Sequence, residues 1–427
     1  MRVCRDLSFF AGDWLHRGSF LCLALSVALV SLSIAASQIL LGASVAAFFV
    51  DRWRRPARPY RFPPFTWPLL ALLAWTVIAA LFSSHLMLNL WSLKKFVLFL
   101  VVFLVPAVMG SKGARIWTYR IVIAAGAVAA ARGLIQYILL PNRDINHRIT
   151  GFMSHWMTFA GLLMLVLVAI AAYVLCFGIR KSWWAILLGI LVAAGIYLSQ
   201  TRSTLLGASA AIVVLLLLGK RYCAIAGVAG ILALVYFVSP AGMQHRLLAG
   251  FDLNDPHTRP RVELLGIAIG MIRDNPWIGV GPGSVALEAR HYRGSADFPE
   301  GTYMHMHNNF LQIAAERGIP GLALWIWFMA LLVLDALRRL RCLSGRKVFP
   351  LPSDPGAEDL FVATSAVGAS IALLVAGLFE YNFGDSEVLI LFLFMAGAPY
   401  ANLMPAQGAG TNHGTLLAAC PAEKTRA

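Results

Sequence analysis

The sequence predicts an all-α polytopic membrane protein of about twelve transmembrane helices, with a large helical segment outside the bilayer. Three observations carry that prediction. Of the 427 residues, 59% are hydrophobic and only 13% charged, which excludes an ordinary soluble domain. Apolar runs recur along nearly the whole length, so residues 1–427 read as one integral unit rather than a soluble domain with an anchor. The basic residues behind the net charge of +15 sit in short loops between these runs, where the positive-inside rule puts them. No basic face is interleaved with aromatics on a soluble module, so the charge points to membrane lipids and away from nucleic acid.

Taken in order, Ser19–Ala35 and Gln38–Val50 read as a tight helical pair. The apolar run after Arg17 continues to Val50, which favours a retained span over a cleaved signal peptide. The loop Asp51–Arg61 (DRWRRPARPYR) is basic and broken by proline, which assigns it and the N-terminus to the cytoplasmic side. Thr66–Phe82, Leu88–Met109, Ile116–Leu140, Trp156–Phe177, Trp183–Leu198, Thr204–Leu218 and Cys223–Val238 then alternate across the bilayer. Lys112, Arg115, Arg180, Lys181, Lys220 and Arg221 fall on the inside, and the polar loop Pro141–His155, with Arg143 and Arg148, falls outside.

Ala241 to about Arg317 is far too polar to span. Within it, Val262, Leu264, Leu265, Ala268, Ile269 and Ile272 give Arg261–Ile272 an amphipathic helical pattern, ended by Asp274-Asn275-Pro276. Asn308–Glu316 is helical again, stopped by Gly318. Gly318–Leu337 re-enters the membrane and meets Arg338, Arg339 and Arg341 inside. Asp359–Phe379 goes out, Glu380–Glu387 turns outside, and Val388–Leu403 returns. The tail, 405–427, is polar and Gly-rich and is expected to be disordered in the cytoplasm. None of the six cysteines lies in the long polar segment and no Cys-x-x-Cys pair occurs, so neither a disulfide framework nor a thiolate metal site is expected.

A polar cluster at a membrane boundary is the place to look for chemistry, and Tyr303–Gly321 (YMHMHNNFLQIAAERGIPG) is that cluster. His307 fits a general base, because an imidazole accepts a proton near neutrality; the alternative is a structural histidine at a helix start. His305 shares its His-x-His, a weak metal signal even with His291 or Asp297 in reach, and no metal or other cofactor is expected. Arg202, in the polar context SQTRST, either snorkels to the headgroups or lines a wet cavity that binds an anion. Arg261, with Arg259 before it, reads as a solvated charge or as a second phosphate clamp. Gly279–Gly283 could cradle a phosphate, but it lacks the Lys-Ser/Thr of a P-loop and reads better as a tight turn.

SQTRSTLLG at 199–207, RVELLGIAIGMIRDNPWIGVGPGS at 261–284 and HMHNNFLQIAAERGIPG at 305–321, in that order and spacing, resemble the O-antigen ligase and polymerase superfamily, Wzy_C. The resemblance implies a GT-C-like, metal-independent inverting glycosyltransferase of the bacterial inner membrane, with residues 241–317 forming a periplasmic roof between spans nine and ten. Its donor would be O-antigen on undecaprenyl diphosphate and its acceptor lipid A–core oligosaccharide. By position, Arg202 and Arg261 would hold the donor diphosphate and His307 would activate the acceptor hydroxyl; Arg259, His305, Asn308, Arg143 and Arg148 are secondary candidates. Thr201 departs from the small residue that many relatives carry before the arginine. Protein O-oligosaccharyltransferase and O-antigen polymerase remain alternatives of the same chemistry. A transporter of lipid-linked sugars is an alternative of another class, favoured by Arg132 and Gln136 inside an apolar span.

Overall fold

A computed structural model describes residues 13–55, 62–139, 148–240, 244, 259–293, 300–344 and 356–403. All regular elements among the described residues are helical, and most follow from an apolar run bounded by the polar, glycine or proline punctuation read above. Among the described residues, six helices are long and apolar enough to cross a membrane: Ile34–Arg54, Leu86–Val108 taken as one stretch, Gly113–Leu139, Trp156–Phe177, Asn309–Leu343 and Ala357–Ala376. Trp14–Leu29, Thr66–Leu81, Trp183–Leu198, Arg202–Leu218, Tyr222–Val238 and Ser386–Ala401 are apolar but shorter. The expected disordered tail and Arg143 lie outside the described residues.

The first helices, α1 (Trp14–Leu29) and α2 (Ile34–Arg54), form the expected tight pair. Serines fasten it: Ser19 Oγ donates to Ser44 O at 2.9 Å, Ser44 Oγ to Ser19 O at 2.8 Å, and Ser26 Oγ to Ser37 O at 2.7 Å. Small side chains let the backbones approach, and each such bond in a membrane is worth about 0.6 kcal/mol. Helix α2 is longer than expected at both ends. Ser33 caps its start, and Arg52 and Arg54 complement the dipole of its last turn, so part of the basic loop is helical.

After α3 (Thr66–Leu81), the expected single span is broken into α4 (Leu86–Ser92), a 3-10 stretch (Leu93–Leu100) and α5 (Val101–Val108). The tighter winding carries Lys95 out of the apolar run to donate to Gly384 O at 2.7 Å. Next come α6 (Lys112–Leu139), α7 (Trp156–Phe177), α8 (Trp183–Leu198), α9 (Arg202–Leu218) and α10 (Tyr222–Val238). Arg115, fully buried on α6, pairs with Asp359 at 2.9 Å. Cys342 is disulfide-bonded, against expectation, while Cys22, Cys176 and Cys223 are free thiols.

The amphipathic run forms α11 (Arg259–Asp274), and an unexpected short helix follows as α12 (Val285–Tyr292). Leu264, Ile267, Ala268 and Met271 of α11 build a small core of their own with Val280, Val285, Ala289, Tyr303, Met306 and Ala315. That layer is stitched onto α13 (Asn309–Ser344): Val280 N donates to Ala315 O at 2.8 Å, Gly281 N to Glu316 O at 3.0 Å and Ile319 N to Pro276 O at 2.8 Å. As expected, two helical stretches meet at Gly318, whose φ 68° and ψ −178° are not helical; together they make up α13 with a kink at that point. Helix α14 (Ala357–Ala376) runs through the middle of the bundle against α7, α9 and α13. Helix α15 (Ser386–Gly397) ends earlier than expected, in a 3-10 stretch to Leu403.

A Cβ on Gly318 would lie 2.2 Å from Trp277 O, in a backbone region that essentially only glycine occupies. Gly318→Ala is therefore expected to destabilise the detergent-solubilised protein by about 2–4 kcal/mol, combining left-handed strain and backbone displacement. Gly227→Ala on α10, where an added Cβ meets nothing within 4 Å, should leave the thermal midpoint unchanged or slightly raised. Equal midpoints for the two variants would remove the kink as a structural requirement.

Candidate functional site

Polar residues converge where several helices end. Arg202 is the first residue of α9, His155 caps α7, His307 lies just before α13, and Glu380 follows α14. The backbone is strained beside two of them: Gln200 has φ 56° and His307 has φ 46°. Histidine tolerates this region better than most side chains, yet it persists only where its surroundings impose it.

Those surroundings are the Asn308-Asn309 pair. Asn309 N donates to Gly377 O at 2.7 Å, Asn309 Nδ2 to Asn382 Oδ1 at 2.7 Å, and Phe383 N to Asn309 Oδ1 at 3.1 Å. Asn308 Nδ2 donates to Leu378 O at 2.9 Å, while its Oδ1 caps α13 by accepting from Phe310 N at 2.8 Å and Leu311 N at 3.0 Å. The pair thus clamps the histidine segment onto the turn that carries Glu380.

The buried Glu380 Oε2 lies 3.3 Å from His307 Nδ1. Burial alone would raise the Glu380 pKa, but His307, His305 and Arg261 together hold it below its ordinary value. The carboxylate is therefore ionised and can only accept, so Nδ1 of His307 carries the proton and Nε2 is left as a base. His305 packs its ring 4.2 Å from that of His307. Burial, then the neighbouring His307, lowers its pKa to about 4, so it is neutral at ordinary pH. Its Nδ1 is buried with no hydrogen-bond partner among the described residues. His305, His307 and Glu380 each offer a ligand atom within 4.8 Å of the others, which is a geometry that could hold a metal ion.

Arg148, Arg202 and Arg261 form an assembly of cations whose charge reaches Glu380 through Arg261. Arg148 has its pKa lowered to about 10, by burial and then by the charges of Arg202 and Arg261. Arg261 also acts on Glu380, so both clamp arginines and the histidine share one electrostatic neighbourhood. Arg148 stacks over the Trp156 ring at 4.7 Å. Its loop is pinned by Gln136, whose Oε1 accepts from Gly151 N at 2.8 Å and Thr150 N at 3.1 Å while Nε2 donates to Gly151 O at 2.9 Å. Arg259 is exposed at the start of α11. The glycine run 279–283 is a docking turn, as preferred: a Cβ on Gly279 would meet Glu316 C at 2.4 Å, and Gly283 N donates to Glu316 Oε1 at 3.0 Å.

Sequence reasoning missed Glu380 and His155. Glu380 was legible only as part of an external turn, and His155 only as the end of a polar loop. The burial of a single carboxylate between two apolar spans is the signal that marks Glu380 out.

Three guanidinium groups beside an ionised carboxylate–imidazole couple, in a bundle of apolar helices, make an arrangement able to bind an anion and exchange a proton. Residues 187–326 match the model of the Wzy_C family, O-antigen ligase, in agreement with the resemblance carried by the sequence motifs. The match contains Arg202, Arg261 and His307, whereas Arg148, His155 and Glu380 lie outside it. It supports a glycosyltransferase-like function of the O-antigen ligase or polymerase type, on lipid-linked polysaccharide in a membrane. No curated protein matches the chain.

The guanidinium cluster should bind pyrophosphate. The thermal midpoint of purified protein is expected to rise with pyrophosphate, reaching about 2.7 kcal/mol of added stability at a hundredfold excess over Kd. Arg148→Ala, Arg202→Ala and Arg261→Ala should each weaken binding about tenfold or more, the range for a charge-assisted hydrogen bond. A shift unaltered in all three variants would place the anion elsewhere.

Proposed function

We propose that the protein is an O-antigen ligase: an inverting glycosyltransferase that moves O-antigen polysaccharide from undecaprenyl diphosphate to lipid A–core oligosaccharide. The observation that carries the reading is the closeness of the arginine cluster to the His307–Glu380 couple. In this reading twelve helices cross the inner membrane with both ends in the cytoplasm. The layer built on α11 and α12 then roofs the site on the periplasmic face, away from cytosolic nucleotides.

His307 Nε2 takes the proton from the acceptor hydroxyl as its oxygen bonds to the anomeric carbon of the donor sugar. The carbon–oxygen bond to the diphosphate breaks, and its electron pair leaves with the phosphate. Glu380 stabilises the imidazolium that forms. Arg148, Arg202 and Arg261 neutralise the charge growing on the leaving diphosphate, the role a divalent metal plays in other enzymes. That division of labour makes the reaction independent of added metal.

Protein O-oligosaccharyltransferase and O-antigen polymerase share this chemistry and differ only in acceptor. The transporter reading loses its main support, because Arg132 is exposed on α6 and Gln136 serves the Arg148 loop.

The deciding experiment is transfer by purified protein from a lipid-linked donor to lipid A–core oligosaccharide, with pilin as the competing acceptor. Transfer only to pilin would reassign the protein. His307→Ala should abolish transfer while the protein still inserts in the membrane. Glu380→Gln should lower kcat about 10²–10⁴-fold, the range for a compromised general base. A kcat left unchanged by Glu380→Gln would remove Glu380 as the partner of the base. Activity should persist in excess chelator; its loss, restored by a divalent cation, would make His305, His307 and Glu380 a metal site.

A further inference from the structure

A cavity of about 270 Å³ lies beside His305, between the roof layer and the bundle. Its walls include Ser92, Lys95, Phe99, Gln312, Tyr381 and Asp385, and His305 closes the side toward His307. Drug-sized ligands occupy pockets of about 300–1,000 Å³, so this one has room for a single ring and not for an extended chain.

Its chemistry is that of a hydroxyl-rich, uncharged ring. The Glu316–Arg317 pair is closed at 2.5 Å, and Lys95 and Asp385 add one ammonium and one carboxyl group to the lining. Gln312 is committed to the wall, its Oε1 accepting from Met306 N at 2.7 Å and its Nε2 donating to Glu316 Oε1 at 2.9 Å. Asp385 lines the opposite wall, with Oδ2 accepting from Thr158 Oγ1 at 3.1 Å. Burial and the nearby Glu380 raise its pKa to about 7, so near neutrality its carboxyl can donate as well as accept. Phe96, Phe99 and Phe383 give apolar faces beside these polar edges. A pyranose needs both: hydroxyls around its rim and carbon–hydrogen faces above and below.

We propose that this cavity seats the sugar of the acceptor that receives the transferred chain, an uncharged hexopyranose, with Lys95 and Asp385 bonding its hydroxyls and Phe99 packing its face. The inference rests on the ligase reading and adds to it a place for the acceptor. The donor diphosphate sits with Arg148, Arg202 and Arg261, and the acceptor ring sits in this cavity, whose wall includes His305 in ring contact with His307.

Two measurements test it. With purified protein and a saturating lipid-linked donor, Lys95→Ala and Asp385→Asn should raise KM for the acceptor tenfold or more. KM for the donor and the thermal shift with pyrophosphate should stay as in wild type, which also reports that the variants are folded. Removing the terminal sugar from the acceptor should raise the wild-type KM to the level of the variants and leave the variants little affected. An increase confined to donor KM, loss of the pyrophosphate response, or unchanged kinetics would each overturn the proposal. The second measurement needs no turnover. Saturation-transfer NMR should detect a methyl hexopyranoside bound to wild type, weakened by Lys95→Ala, with a hexose phosphate bound no better. Tighter binding of the phosphate, or no binding of either, would overturn the proposal. Absence of any transfer by wild type would instead count against the ligase reading, and the NMR result would still decide the cavity.

Discussion

The site depends on the Glu380 carboxylate. It is buried, yet it stays ionised because His307, His305 and Arg261 surround it. A buried anion without such partners would take up a proton, and His307 would then lose the group that fixes which of its nitrogens is the base. The same carboxylate gives Arg261 a reason to face inward. Arg261 and His307 are thus both tied to one carboxylate on one turn.

The rest of the fold holds that turn in place. The Asn308-Asn309 pair ties the histidine segment to residues 377–383, and the Gly318 kink lets α13 carry the outer layer at one end and cross the bundle with the other. Trp75 Nε1 donates to Arg317 O at 2.9 Å and Arg317 Nε to Thr76 Oγ1 at 3.1 Å, so α3 braces the kink from behind. Residues that look like a binding motif in sequence, the glycines of 279–283, turn out to be fasteners between layers.

Much of this was legible in the sequence. Apolar run lengths locate nearly all the helices, because a long apolar stretch has few other stable forms. Arg202, Arg261 and His307 stand out because polar groups at apolar boundaries need a purpose. The winding of Leu93–Leu100 escaped because periodicity does not separate α from 3-10 helix over eight residues, and here Lys95 reaching Gly384 decides it. Glu380 escaped for a different reason. It owes its place in the site to His307, 73 positions away, and no local pattern encodes that distance.

The buried α14 also has a temporal meaning. Glu380 sits on the connection between α14 and α15, 73 positions after His307. A nascent chain halted before α14 therefore already carries Arg148, Arg202, Arg261 and His307, while the imidazole still lacks the carboxylate that fixes its tautomer.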